Sequence, residues 1–285
     1  MAFGGVAVAL SLTAVPDAYA SVAVAVAAPI RGLDVSAHQH AESPINWELL
    51  TRQGLRFVAV KVSEGTYYRN PYYASDVRAA AAAGFAVLPY VFANPSSAGG
   101  TATAKFAGGA LNHEHGPARL PLVVDLENDP YNQAADCYGL HIPAMIAWIA
   151  RFTAAAKDLT GKWPVIYTTA AWWQECTSST GHFRRDPLWL AAFDGTPPTL
   201  PSPWLHWTFW QYSNDGSLPG IGQTDLDYYS PSSAFPSLSP PRSRPKQKPA
   251  QKARPLRHLK NHATNRPNPK HKPKPKHKHK HKHKH

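Results

Sequence analysis

Cysteine is scarce in this chain: 285 residues contain two, Cys137 and Cys176. Two thiols without neighbouring ligand residues argue against a thiolate metal centre. Nothing beside either one supplies a base to activate a nucleophilic thiol. Long apolar runs are equally scarce. The stretch from Ala2 to Val15 is shorter than the roughly 20 residues a bilayer requires, and Pro16 and Asp17 close it. Ala18, Tyr19 and Ala20 follow as a small-x-small cleavage pattern, so residues 1–28 read as an export signal that is removed, although no positively charged residue precedes the apolar run. An isolated cysteine pair in an exported chain forms a disulfide, and Cys137–Cys176 is the expected bridge.

Acidic residues are missing from the end of the chain. Of 30 Lys and Arg, 17 lie between Ser239 and His285 with none of the 18 Asp and Glu, which leaves 13 basic against 18 acidic side chains in the first 238 residues. The pI of 9.7 therefore belongs to a tail attached to an acidic domain. Residues 237–285, rich in Pro, Lys and His, offer almost nothing to bury and read as disordered.

Between these segments, residues 29–236 alternate short apolar runs with helix-like stretches, the pattern of βα units around a parallel sheet. IRGLDVS, RFVAVKVSEG, FAVLPYVF, LPLVVDLE and WPVIYTT read as five strands. The continuous apolar core from Phe57 to Val62 implies burial on both faces. Asn70 and Pro71 are expected to cap and open a helix that Gly84 stops. Further helices are expected over Ala98–Leu111 and Ile142–Leu159. Beyond WPVIYTT the helical signal weakens, and LWLAAF, HWTFWQYS and TDLDYYS read as three more strands. The fold class is thus α/β, an irregular eight-stranded barrel of five βα units and three further strands.

Asp125 and Glu127 stand at the end of LPLVVDLE. Side chains two apart on a strand share a face, with Cα atoms about 6.6 Å apart. Like charges that close in a dry cleft separate their proton affinities, so that one stays protonated while the other ionises, as glycoside hydrolysis requires. Two readings are open for the pair alone: a glycosidase couple, or polar residues at a strand exit. In barrels of this kind chemistry sits at the C-terminal ends of strands. Those ends carry Asp34, Glu64, Tyr90, Asp125 with Glu127, Trp210 with Tyr212, and Asp225.

RGLDVSAHQ, INWELLTRQGLRFVAVKVSEG, LPYVFANP, LPLVVDLEN, FWQYS and TDLDYY, in this order over about residues 30–230, resemble the family 25 glycoside hydrolases. The resemblance implies a modified TIM-like (β/α)5(β)3 barrel and a lysozyme that cuts the β-1,4 bond between N-acetylmuramic acid and N-acetylglucosamine of peptidoglycan with retention. It implies Glu127 as proton donor and Asp125 as partner acid, either nucleophile or supporter of the substrate's own acetamide; the second is preferred because both acids project from one strand face. Asp34 and Asp225 would stabilise positive charge, and Tyr90 and Trp210 would stack on sugar. Glu64 is open between a supporting role and an ion pair with Lys61. Tyr67, Tyr68, Trp172 and Trp173 are candidates for outer subsites.

Val91 and Asp227 depart from the family's usual His and Asn, which points to altered fine positioning. Neither a cofactor, a metal nor an obligate protein partner is expected, and the chain is expected to be monomeric and extracellular or wall-associated. The competing functions are a wall-binding protein without turnover and a chitinase-like glycosidase. For the tail, the reading as a tether to anionic wall polymers, ahead of membrane surface or nucleic acid, stands beside that of a solubilising extension.

Overall fold

The computed structural model describes residues 28–41, 43–114, 120–231 and 238, with backbone alone for 112–114. Apart from Ala28 and Leu238, the expected leader (1–28) and tail (237–285) lie outside the described residues. The strands are β1 (Ile30–Val35), β2 (Phe57–Glu64), β3 (Tyr68–Arg69), β4 (Ala86–Phe92), β5 (Val123–Asp125), β6 (Val165–Thr169), β7 (Leu188–Ala191), β8 (Phe209–Leu218) and β9 (Gly222–Tyr229). The helices among the described residues are α1 (Trp47–Arg52), α2 (Tyr73–Ala82), α3 (Gly100–Glu114), α4 (Ile142–Thr160) and α5 (Ala170–Thr177), with a 3₁₀ turn at Ala37–His40.

Eight strands close a barrel in the order β1-β2-β4-β5-β6-β7-β8-β9, and β3 is a two-residue ribbon on β2 outside the ring. All neighbours from β1 to β8 run parallel. β9 runs antiparallel to both β8 and β1 because a tight turn at Pro219–Gly220 joins it to β8, and a hairpin connection reverses direction. Five βα units followed by three strands give the (β/α)5(β)3 barrel.

Period-2 alternation divides the apolar side chains between two cores. Phe57, Ala59, Leu88, Val123, Val165, Trp189, Phe209 and Tyr229 fill the barrel, where Leu238 joins them. Val58, Val60, Val62, Val91, Val124, Ile166 and Leu190 point outward beneath the helices. A strand covered on both faces must be apolar on both, which is why these runs show no polar alternation. Gly32 admits the Phe57 ring to the interior: a Cβ there would stand 2.4 Å from Phe57 Cε1. Any larger residue at 32 would displace the ring.

Three local expectations are corrected. Asn70 does not cap α2. Its Nδ2 donates to the Lys61 carbonyl at 2.9 Å and its Oδ1 accepts from the Tyr72 N–H at 3.0 Å, so it forms an Asx turn tied to β2, and the helix begins at Tyr73 without a side-chain cap. The strand expected over LPLVVDLE is only Val123–Asp125, although Leu126 N–H still bonds the Tyr167 carbonyl at 2.9 Å and preserves the alternation. After β6, where the helical signal is weak, α5 forms on a Thr169 cap and buries Trp172, Trp173 and Cys176.

Cys137 and Cys176 are bonded, with Cα atoms 5.4 Å apart, and tie the loop after β5 to α5. On the chain-entropy model, closing a loop of about 40 residues stabilises the fold by about 3–4 kcal/mol. The Cys137→Ala/Cys176→Ala variant is therefore expected to lower the unfolding free energy by that amount in urea titrations, with hydrogen exchange increased chiefly over residues 128–140.

Candidate active site

A cavity of about 200 Å³ opens at the end of the barrel where the parallel strands finish. Its walls are Asp34 from β1, Ser36, His38 and Gln39 from the turn that follows, Lys61 from β2, Tyr90 and Phe92 from β4, Asp125 and Glu127 from the end of β5, Tyr167, Trp189, Gln211 and Asp225. Along most strands an inward residue beyond the apolar core reaches the mouth, while Tyr90 of β4 and Trp189 of β7 belong to that core themselves. Asp225 fits this rule only because β9 is reversed: its first half, not its end, reaches the mouth, and Asp225 pairs in register with Asp34. A larger cavity of about 430 Å³ sits at the opposite pole, among Lys162, Trp163, Arg184, Arg185 and Trp204, but it holds a single carboxyl, Asp186. Convergent acids, not volume, mark the site.

Asp125 and Glu127 carboxyls are in hydrogen-bonding contact. Asp125 is 7 % exposed, and its Oδ1 faces no donor. Burial first, then the charge and contact of Glu127, push Asp125 well above the usual carboxylate range. Burial likewise raises Glu127, while the contact with Asp125 and the charge of Lys61 draw it back. Two such acids cannot both ionise cheaply, so the couple retains a proton where free carboxyls have lost theirs.

Across the cavity Asp34 contacts Asp225 and Asp227 and accepts from Gln211 Nε2 at 2.8 Å. Burial, then the charge of Asp225, holds Asp34 well above its ordinary value. Burial and the charge of Glu127 lift Asp225 to about 6. Tyr167 O–H completes the chain by donating to Gln211 Oε1 at 2.8 Å. Burial and the surrounding acids push Tyr90 and Tyr167 far above the usual phenol value, so both remain hydrogen-bond donors.

A β-bulge in β2 shapes the near wall. Lys61 pairs with Tyr90 but Ser63 with Val91, so one residue is skipped and both Lys61 and Glu64 turn toward the mouth. Lys61 Nζ meets Glu64 Oε2 at 2.8 Å and lies 4.7 Å from the centre of the Phe92 ring. Glu64 Oε1 accepts from the Tyr67 hydroxyl at 2.7 Å and from the Tyr131 hydroxyl. Burial would raise Glu64, yet the hydrogen bonds from Lys61, Tyr131 and Tyr67 leave it below its ordinary value. Glu64 is thus an anion that anchors the lysine and does not itself line the cavity.

The mouth gathers Asp34, Tyr90, Asp125, Glu127 and Asp225 from the residues singled out in the sequence. It does not gather Trp210 and Tyr212. On β8, Phe209 packs inside the barrel and Gln211 lines the mouth, so Trp210 and Tyr212 fall on the other face. There Tyr212 stacks on Tyr228 at 4.2 Å and Trp210 packs at 5.7 Å from the same ring. Trp172 and Trp173, 2 % and 0 % exposed, are core and form no outer subsite. Tyr67 is exposed on the rim, and Tyr68 lies beside Lys61.

Gln211, Tyr167, Trp189 and Tyr131 escaped the sequence reading. Strand alternation anchored on Phe209 would have found Gln211; nothing local distinguishes Tyr131.

A family model described as glycosyl hydrolases family 25 matches residues 33–221. Lysozyme M1 of Streptomyces globisporus is 37% identical over 210 residues, covering 72% of this chain and 69% of that protein. The N,O-diacetylmuramidase of a Chalaropsis species is 34% identical over 193 residues, 65% of this chain and 88% of its own. Among solved structures, a bacterial lysozyme from Streptomyces coelicolor superimposes with a TM-score of 0.66 at 36% identity, covering 73% of this chain and 94% of that one. A family GH25 lysozyme from Aspergillus fumigatus gives 0.63 at 36% identity, with 71% and 94% covered.

Among the described residues Lys61 is the one lysine or arginine lining the mouth, and its charge lowers both members of the central acid couple. Lys61→Met is expected to move the titrations of Asp125 and Glu127 to higher pH, read from carboxyl-carbon chemical shifts in NMR.

Proposed function

Because this chain belongs to glycosyl hydrolases family 25, and is a glycoside hydrolase of the muramidase type, we propose that it cuts the β-1,4 bond between N-acetylmuramic acid and N-acetylglucosamine in peptidoglycan with retention, Glu127 acting as general acid and Asp125 as its partner. The observation that carries this reading is the acid couple in contact at the mouth, faced by Asp34 and Asp225.

The contact also favours one form of retention. A nucleophile and an acid in retaining glycosidases stand about 5–5.5 Å apart, on opposite sides of the scissile bond. Carboxyls close enough to share a proton leave no sugar ring between them. Asp125 is therefore assigned to the substrate's 2-acetamido group: it accepts the amide N–H while the amide oxygen attacks the anomeric carbon. The couple holds one proton between two oxygens in contact; in the reacting tautomer it sits on Glu127, which gives it to the departing glycosidic oxygen as the C–O bond breaks, while Asp125 is left as the carboxylate that accepts the amide N–H. As a carboxylate Glu127 then takes a proton from the water that opens the cyclic intermediate. Asp34 and Asp225 stabilise the positive charge that develops on the sugar, an interaction stronger in the transition state than in the neutral substrate.

We assign the leader to export, supported by the disulfide, a bond that persists in oxidising compartments. The basic tail is assigned to anionic wall polymers on charge complementarity. Eight of the 15 histidines lie in it, so its charge rises as pH falls through about 6.5.

Glu127→Gln is expected to fold normally and to lose about 10²–10⁴-fold in turnover, the usual contribution of a general acid. Digestion of defined peptidoglycan, followed by mass spectrometry, is expected to show muramic acid at the new reducing end; products from chitin alone would instead favour the chitinase-like reading. Retention on anionic wall preparations is expected to be stronger at pH 5.5 than at 7.5 and to weaken with salt.

A further inference from the structure

Asp227 lies directly below the mouth, 0 % exposed, and takes no part in the chemistry just described. Its Oδ1 accepts the Trp189 indole N–H at 2.9 Å. Its Oδ2 is buried and faces no N–H or hydroxyl donor. The groups around it are the inward residues of the neighbouring strands. From β1 comes Asp34, in hydrogen-bonding contact; from β9, Asp225. Gln211 of β8 is its register partner, but both ends of that amide are engaged, one by Asp34 and one by Tyr167. Asp125, Glu127 and Tyr90 line the cavity above, and Phe57, Phe209 and Tyr229 pack in the core below. The cation of the mouth, Lys61 on β2, is paired with Glu64 and bears on Asp125 and Glu127.

We infer that Asp227 is a positioning residue of the hydrolytic site, a neutral carboxylic acid whose Oδ2–H donates to Asp34 and holds that carboxylate ionised and in place. The inference rests on the proposed role of Asp34 as a stabilising anion. A carboxylic acid has one carbonyl acceptor and one hydroxyl donor, which matches what surrounds Asp227: an indole N–H on Oδ1, an Oδ2 that receives no donor among the described residues, and the Asp34 carboxyl in contact with the group. As a carboxylate it would be a second anion against Asp34, fully buried and with no cation bearing on it among the described residues. Apolar enclosure can keep an acid neutral so that it serves as a hydrogen-bond donor. The proton belongs on Asp227 and not on Asp34, because Asp34 reaches the cavity and already receives the Gln211 N–H, both of which favour its charged form. Burial and the charge of Asp34 act in the same direction on Asp227.

The consequence is a carboxylate at Asp34 that can be charged in a crowded site because its neighbour is not. It also links stability to pH with a definite sign. A carboxyl whose folded pKa is raised binds a proton that the unfolded chain has released, so its contribution is full below the unfolded value near 4 and is lost as pH rises toward the folded value.

The test compares the wild-type protein with Asp227→Asn, which keeps one donor and one acceptor without titrating, and Asp227→Leu, which removes both. Between pH 5 and 7 unfolding of the wild type is expected to release about one proton more than unfolding of Asp227→Asn, measured from the pH dependence of urea stability. On peptidoglycan, Asp227→Leu is expected to lose at least about tenfold in kcat with little change in KM, and Asp227→Asn to restore most of it. Equal proton release in the wild type and Asp227→Asn would overturn the inference, as would an Asp227→Asn variant as slow as Asp227→Leu. If Asp227→Leu does not fold, the proton count on Asp227→Asn still decides. A wild type without hydrolysis would defeat the functional proposal and leave that count to judge Asp227 separately.

Discussion

Carboxyl groups crowded into a nearly dry barrel mouth repel one another, and the protein resolves that repulsion by sharing protons, not by neutralising every charge with a cation. Asp125 touches Glu127, and Asp34 touches both Asp225 and Asp227. Among the described residues that line the mouth only Lys61 brings a full positive charge, and Glu64 already claims it. Each couple therefore contains an acid whose proton is held beyond the ordinary range. A glycosidase needs that state, since one carboxyl must give a proton while others face a developing cation.

The barrel makes the crowding possible. Two apolar layers, one inside the ring and one beneath the helices, hold eight strands whose inward residues reach the same height at the mouth. Two departures from regular strand geometry then aim particular groups. The bulge at Lys61–Ser63 turns Lys61 and Glu64 to the same side, and the hairpin before β9 brings Asp225 up to Asp34 from the opposite chain direction. Outside the mouth, the disulfide fastens the loop that carries Tyr131 to α5, and Tyr131 in turn reaches Glu64. The support of one lysine thus extends from β2 to a loop about 70 residues further along the chain.

Much of this was legible in the sequence because it depends on neighbours in the chain. Phe57 to Val62 announces a strand covered on both faces, and the helix expected over Ile142–Leu159 is present and stops at Gly161 in the left-handed conformation. The carboxyls of Asp125 and Glu127 share a side because alternation survives beyond the last ladder residue through Leu126. Where local reasoning failed, a distant partner decided. Asn70 is held to β2 through the Lys61 carbonyl and its Oδ1 is taken by the Tyr72 N–H, so it does not cap α2. The aromatic residues of FWQYS look like the sugar-binding members of their segment, yet the Phe209 position inside the barrel commits Gln211 to the mouth and sends Trp210 and Tyr212 outward.

By itself the sequence determined the alternation of strands and helices, the two-sided burial of the strands and the spacing of the acids along them, because periodicity and turn chemistry act over a few residues. Only the tertiary structure decided which acids touch, which of them must keep a proton, and which face of β8 meets the substrate side. Those outcomes depend on ring closure, on strand direction and on water exclusion, and each is produced by segments that have no knowledge of one another until the barrel shuts.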